Sequence, residues 1–301
     1  QCQAALADLS LPRLAELLGL LTAQEPVAGS PATLTPLCER TRAQCLGLGG
    51  GDGLIAWAAA DAEQLGLTRL QGKTGWAWVT PCHWEPQTNH VSMGHPEDLD
   101  LSVQECEALR AVLQPYFASE GIQLHPLARG TWLAQGDMFK DLPTASLERV
   151  SGASVDAWLP RQAQARALRK LQSEMEMLLH THAANALRAA RGAPTVNAFW
   201  VSGTGTPAAA AASSVQPVRV DESLKPLARH DNPTTWPKAW RALDTGPITE
   251  LLQRAKAGQP AALTLCGERQ ALRWELQQQP WWNRLQNRMV SAVPQQLLGT
   301  L

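Results

Sequence analysis

The sequence is poor in phenylalanine and tyrosine, with three and one, against twelve tryptophans. The tryptophans are spread along the whole chain, which points to large rings filling cores and seams rather than to a stacking platform for sugars or bases. Neither sign of charge dominates. Twenty-six basic and 27 acidic residues leave a formal net charge of -1. The basic stripe that grips a phosphate backbone is therefore missing, and nucleic acid is not an expected partner. No run of about 18 apolar residues occurs, so no membrane span is expected. Gln1 to Leu21 lacks a basic stretch followed by a long apolar core, the pattern of a secretory leader. Six cysteines stand at positions 2, 38, 45, 82, 106 and 266. None is spaced as Cys-x-x-Cys, and no His lies at zinc-finger distance from a pair. Cys38 and Cys45 share a helix face and read as small apolar residues. The setting expected from these absences is reducing and cytoplasmic.

Familiar catalytic signatures are also missing. The glycines of Gly47 to Gly53 do not make Gly-x-Gly-x-x-Gly, because Asp52 stands where the third is needed, and no strand precedes them. There is no Gly-x-Ser-x-Gly elbow and no His-Glu-x-x-His helix. What remains is a chain of 301 residues, 45% hydrophobic and 18% charged. That is enough to bury one large core or two smaller ones.

Periodicity places the elements. Residues 11–23 read as a helix with Pro12 in its first turn and Leu14, Leu17, Leu18 and Leu21 on one face. A Pro/Gly/Ser stretch separates it from a second helix near 36–46, and 54–66 is Ala-rich and helical. Trp76 to Thr80 alternates like a strand, as does Asn89 to Met93. Ser102-Val-Gln-Glu105 is a capping box opening a helix that Pro115 should kink or end. Residues 122–125 and 131–134 read as strands, a hairpin around Arg129-Gly130. Residues 161–191 form the longest predicted helix. Val196 to Val201 is a short strand running into a Gly-rich turn, Ser202 to Thr206. Ala208 to Ser214 is a low-complexity joint. Beyond it come a helix at 248–257, a strand at 261–266, and helices to about 288.

One pattern breaks its own rule. Leu168, Leu171, Met175 and Leu178 form the apolar stripe of the long helix. The same spacing then reaches His182 and Asn185, with Arg188 three further on. A stripe that turns polar without leaving its face has two readings. These groups either satisfy the carbonyls of a loop crossing the helix end or bind an anion. Zinc is disfavoured, since His180 and His182 point roughly 200° apart on a helix.

Three segments together resemble a bacterial family of RpfE-type regulatory proteins. The first is Trp76 to Met93 with the acidic Asp98-Leu-Asp-Leu101 after it. The second is Glu174-Met-Glu-Met-Leu-Leu-His-Thr-His-Ala-Ala-Asn185-Ala-Leu-Arg188. The third is Gly192-Ala-Pro-Thr-Val-Asn197-Ala-Phe-Trp200-Val-Ser-Gly203-Thr-Gly205. The Asn-x-x-Trp-x-x-Gly-x-Gly element is also similar to a stretch of archaeal-type cofactor-independent phosphoglycerate mutases, of the alkaline phosphatase superfamily. That resemblance implies a partial scaffold of that kind and a small phosphorylated ligand. The two-metal centre of such an enzyme needs several Asp and His ligands and a nucleophilic Ser. Asp52-Gly53 follows a helix rather than a strand, and His230-Asp231 stands alone, so the set does not assemble. No metal or other cofactor is expected.

The candidate ligand-binding residues are therefore His83, His90, His182, Asn185, Arg188, Asn197, Gly203 and Gly205. His83 offers a general base without a visible partner. Gly203 and Gly205 suit either a phosphate cradle or close packing against the long helix. Asn197 and Trp200 face opposite ways on a regular strand. The expected fold is α/β, a mixed sheet flanked by helices. Its expected parts are a helical segment at 1–70, a core at 71–207, a linker at 208–224 and a small α/β unit at 225–301. The expected function is that of a non-catalytic or vestigial phosphoglycerate mutase-like protein acting as a regulatory or ligand-binding module. The alternative is a phosphoryl-transfer or phosphate-ester-hydrolysing enzyme with His83, His90, His182 and Arg188 in one cleft. A third reading, a purely structural subunit, predicts an exposed apolar patch, with Trp281-Trp282 a candidate.

Overall fold

The computed structural model describes residue 6 and residues 8–70, 74–127, 130–207, 218–229, 234–277 and 294–301. Cys2, Arg129, His230-Asp231, Trp281-Trp282 and the joint at Ala208 to Ser214 lie outside the described residues. In chain order the first elements are α1 (Pro12–Leu20), β1 (Thr22–Ala23), β2 (Val27–Ala28), α2 (Leu37–Cys45) and α3 (Trp57–Gln64). Then come β3 (Trp76–Cys82), β4 (Trp84–Pro86), β5 (Val91–Met93), α4 (Val103–Ser119), β6 (Gln123–Pro126) and β7 (Trp132–Gln135). They are followed by α5 (Leu147–Val150), α6 (Arg166–His180), α7 (Ala183–Ala190) and β8 (Ala198–Gly205). The last are α8 (Leu224–Arg229), α9 (Trp236–Thr245), α10 (Pro247–Lys256), β9 (Ala262–Cys266), β10 (Gln270–Glu275) and α11 (Pro294–Thr300). The α/β class expected from the sequence is what the chain forms, and every pairing of these strands is antiparallel.

The chain divides into two compact units. One contains Gln1–Pro31, Leu37–Arg42 and Gln216–Leu301; the other contains Ala32–Pro36 and Ala43–Val215. The segment 1–70, read from sequence as one N-terminal piece, is thus divided between them. The cause is the leucine stripe of α1. Leu14, Leu17 and Leu18 are buried, and they share a core with Trp240, Ile248, Leu252 and Trp274 from the far end of the chain. In the same unit β10 pairs along its length with β9 and at its two ends with β1 and β2. Residues 270–275, expected to be helical, alternate as Gln-Ala-Leu-Arg-Trp-Glu and form a strand that buries Ala271 and Trp274.

The larger unit is built on a sheet of order β6-β7-β3-β8. Successive residues of β3 face opposite sides. Ala77 and Val79 join a core with Leu109, Leu113 and Phe117 of α4, Leu168, Leu171 and Met175 of α6, and Phe199 and Val201 of β8. Trp76 and Trp78 face the other way, against Ala58, Ala59 and Ala62 of α3. The tryptophans act as fillers: Trp76, Trp132 and Trp200 are each only 1% exposed. Cys82 and Cys106 are buried, whereas Cys38 and Cys45 are only half-buried.

Three local expectations are corrected. Of the two outcomes expected at Pro115, a kink or an end, the end does not occur: α4 runs on to Ser119. One lost main-chain bond is outweighed by the buried Leu113 and Phe117 that flank it. The helix expected over 161–191 is two helices, α6 and α7, broken at Thr181-His182. The Gly-rich stretch after Val201 is not a turn: β8 continues through Gly203 to Gly205.

Candidate functional site

The break between α6 and α7 accounts for the polar end of the stripe. His182 is the N-cap of α7, and its Nδ1 accepts a hydrogen bond from the Ala184 N–H at 3.2 Å. This satisfies one of the donors a helix start leaves open. Asn185 and Arg188 then project inward from α7, 5% and 1% exposed.

Both are bound to the main chain of the segment leading into β8. Asn185 Nδ2 donates to the carbonyls of Leu179 and Val196, each at 2.7 Å, and its Oδ1 accepts from the Val196 N–H at 2.8 Å. Arg188 Nε donates to the Pro194 carbonyl at 2.7 Å, Nη1 to Glu105 Oε1 at 2.7 Å, and Nη2 to the Leu99 carbonyl. His83 Nδ1 lies 2.8 Å from the Thr195 carbonyl, which assigns the proton to that nitrogen. Asn197 repeats the arrangement of Asn185. Its Oδ1 accepts from the Trp84 N–H and its Nδ2 donates to the Trp84 carbonyl, both at 2.7 Å. Four side chains from three parts of the sequence, His83, Asn185 with Arg188, and Asn197, thus secure residues 194–197 and the start of β4.

The remaining candidates do not join this group. His90 is exposed at the turn between β4 and β5, where its Nδ1 meets the Asn89 side chain at 2.7 Å. Gly203 and Gly205 lie further along β8. A Cβ on Gly203, whose φ is +64°, would come 2.9 Å from the Trp78 ring. One on Gly205 would come 2.6 Å from the Ala56 Cβ. The glycines therefore permit close packing, but against Trp78 and the start of α3 rather than against the long helix expected from sequence. Trp200 donates from Nε1 to the Ala145 carbonyl at 2.9 Å, and its ring lies 6.5 Å from that of Trp84.

Two polar residues outside the candidate set have the same occupation. The Asp52 carboxylate accepts from the N–H groups of Leu34 and Thr35 at 2.9 and 2.8 Å. Thr204, fully buried, donates to the Leu142 carbonyl at 2.6 Å. Glu105 was visible only as half of a capping box. Its Oε2 does receive the Ser102 N–H at 3.0 Å, and its Oε1 also holds Arg188 and Arg191, each at 2.7 Å. Burial alone would raise this carboxyl. The Ser102 hydrogen bonds and the Arg188 guanidinium outweigh that and bring its pKa down to about 2. The Ser102–Glu105 spacing signalled the cap, but nothing in the sequence connects Glu105 to a residue 83 positions away.

Electrostatics do not favour a nucleophile at Cys82. Burial pushes its thiol well up, away from the reactive thiolate. Among the described residues, no group of three or more His, Cys, Asp and Glu side chains is placed to hold a metal ion. A surface cleft of ≈ 360 Å³ lies beside the Arg188–Glu105 pair, lined among others by Asp98, Asp100, Ser102, Arg191 and Pro194.

No family model and no curated protein matches the chain. Solved structures do. One is the PH0037 protein from Pyrococcus horikoshii, 12% identical, with a TM-score of 0.44 over 90% of this chain and 81% of that one. Another is the cofactor-independent phosphoglycerate mutase from Thermoplasma acidophilum, 12% identical, with a TM-score of 0.39 over 90% of this chain and 83% of that one. The structural neighbours thus include a cofactor-independent phosphoglycerate mutase at low identity. Among the described residues, no helix is long and apolar enough to cross a membrane.

Proposed function

We propose that this chain is a non-catalytic, phosphoglycerate mutase-like protein that works as a regulatory or ligand-binding module, as its resemblance to RpfE-type regulatory proteins implies. Its setting is cytoplasmic and its small-molecule ligand, a phosphorylated metabolite, is bound without turnover. The observation that carries this reading is the use made of the motif. Asn185, Arg188, Asn197 and the Nδ1 of His83 are each spent on main-chain groups at 2.7–2.8 Å. A side chain that already satisfies a buried carbonyl is a poor general acid, general base or metal ligand, because freeing it strands that carbonyl at a cost of about 1–3 kcal/mol. Under this reading the Asn-x-x-Trp-x-x-Gly-x-Gly element is architectural.

Metal analysis of the purified chain, together with a thermal-shift screen against phosphorylated metabolites and divalent ions, tests the proposal. A ligand that binds only the native state raises the melting temperature. The expected result is a shift with a phosphorylated metabolite, sub-stoichiometric metal, and no consumption of the ligand. Two tightly held divalent ions per chain, or steady conversion of a phosphoglycerate, would overturn it.

A further inference from the structure

The bond that His182 makes fixes its protonation. Its Nδ1 accepts the Ala184 N–H at 3.2 Å. That nitrogen therefore carries a lone pair, and the proton of the neutral ring sits on Nε2. Asparagine and serine, which commonly hold an N-cap, do not titrate and cap at any pH. An imidazole gains its second proton between about pH 8 and about pH 5. A protonated Nδ1 is a donor facing a donor, so the hydrogen bond that closes the first turn of α7 cannot form.

The surroundings do not hold the ring in its charged form. His182 is half-buried, within reach of solvent protons. Among the described residues no carboxylate forms an ion pair with it. Such a partner would favour the charged ring and oppose the cap. On α4, which packs against α7, Glu105 is engaged by Arg188 and Arg191, and Glu107 by Arg110. On α6, Glu174 lies 3.6 Å from Lys170, and Glu176 and His180 are exposed. Residues 194–197 carry no titratable side chain. His83, at the Thr195 carbonyl, donates from Nδ1 at 2.8 Å and keeps that bond whether neutral or charged.

The cap holds more than its own turn. The His182 carbonyl accepts the Asn185 N–H at 3.0 Å, and the Asn185 side chain grips the N–H and carbonyl of Val196. The far end of α7 is held differently, by Arg188 on Glu105. Glu105, its pKa brought down to about 2, stays ionised where an imidazole titrates. We infer that α7 is a pH-operated latch on the segment leading into β8. With His182 neutral, the first turn is closed and Asn185 holds Val196. With His182 protonated, the first turn opens and that hold loosens, while Arg188 keeps the far end docked. Such an opening is local and leaves the rest of the sheet in place. This inference goes beyond the proposed function and stands whether or not that reading survives.

Amide hydrogen exchange of the full chain, read by NMR at about pH 7.5 and about pH 5.5, tests the latch. Each rate is corrected for the chemical exchange rate at that pH. Protection at Ala184, Asn185 and Val196 should fall by about fivefold at the lower pH, the effect of losing a typical cap. The amides of β3 should not change. His182→Asn caps in either condition and should keep the higher protection at both. His182→Ala should show the lower protection at both; if it fails to fold, His182→Asn decides. His180→Gln and His83→Gln should leave the wild-type fall in place. Protection that is the same at both pH values in the wild-type chain overturns the inference. So does a fall that survives His182→Asn, one that vanishes with His180→Gln or His83→Gln, or one shared by β3.

Discussion

Asn185 and Val196 hold each other as two strands do. The side-chain amide of Asn185 accepts from the Val196 N–H at 2.8 Å and donates to the Val196 carbonyl at 2.7 Å. An asparagine carries the donor and acceptor of a peptide group, so it can close a ladder where no strand lies alongside. Asn197 does the same for Trp84.

Replacing Asn185 with Leu keeps the volume and removes three hydrogen bonds. Val196 is then left with a buried, unpaired N–H and carbonyl, while the Leu179 carbonyl keeps the His182 N–H. Denaturant unfolding should show a loss of about 2–4 kcal/mol. A loss under about 0.5 kcal/mol would mean that the pairing contributes nothing.

Arg188 joins α7 to Glu105 on α4 and to two carbonyls, and its side chain is 2% exposed. Arg188→Ala should cost about 3–5 kcal/mol, since the partners are stranded rather than replaced. Arg188→Lys should recover little of this, because an ammonium cannot reproduce the guanidinium fork. Equilibrium unfolding of both variants checks the order.

Glu105 links stability to pH. Its folded pKa is lowered to about 2. A depressed carboxyl contributes stability above its unfolded pKa and loses it as pH falls through the folded value. The contribution should therefore be complete above about pH 5 and fade between about pH 4.5 and pH 2. Water at the open side of the pair limits it to about 1–2 kcal/mol. Glu105→Gln should flatten that part of a stability–pH profile while lowering the plateau at neutral pH.

Gly205→Ala should destabilise more than Gly203→Ala. The new Cβ at 205 would sit 2.6 Å from the Ala56 Cβ, held by the main chain at the start of α3, with φ at +150°. At 203 it would meet the Trp78 ring at 2.9 Å, a side chain rather than the start of a helix. Costs of about 1–3 kcal/mol are expected, read as a fall in the unfolding midpoint.

In the smaller unit, Asp244 caps α1 across more than two hundred residues. Its carboxylate accepts from the Leu14 N–H at 2.7 Å and from the Arg13 N–H at 3.3 Å. Leu11, at the N-cap itself, provides no side-chain bond. Asp244→Ala should lose about 1–2 kcal/mol, and Asp244→Asn should recover part of it. Hydrogen exchange at Leu14 would report the opening directly.

Local pattern alone determined much of this protein. The leucine stripe of α1, the capping box of α4 and the alternation of Trp76 to Thr80 each specify an element, because side-chain period and cap chemistry are properties of neighbouring residues. The sequence also exposed His182, Asn185 and Arg188 as an anomaly, a polar end on an apolar stripe. It could not say what they hold. Whether such groups satisfy a crossing chain or bind a ligand depends on which carbonyls come within about 3 Å, and those carbonyls belong to Leu99, Pro194 and Val196. Tertiary structure alone broke the long helix at His182, carried Pro115 inside α4 and drew α1 to the far end of the chain. In each case packing between residues distant in sequence outweighed the local preference.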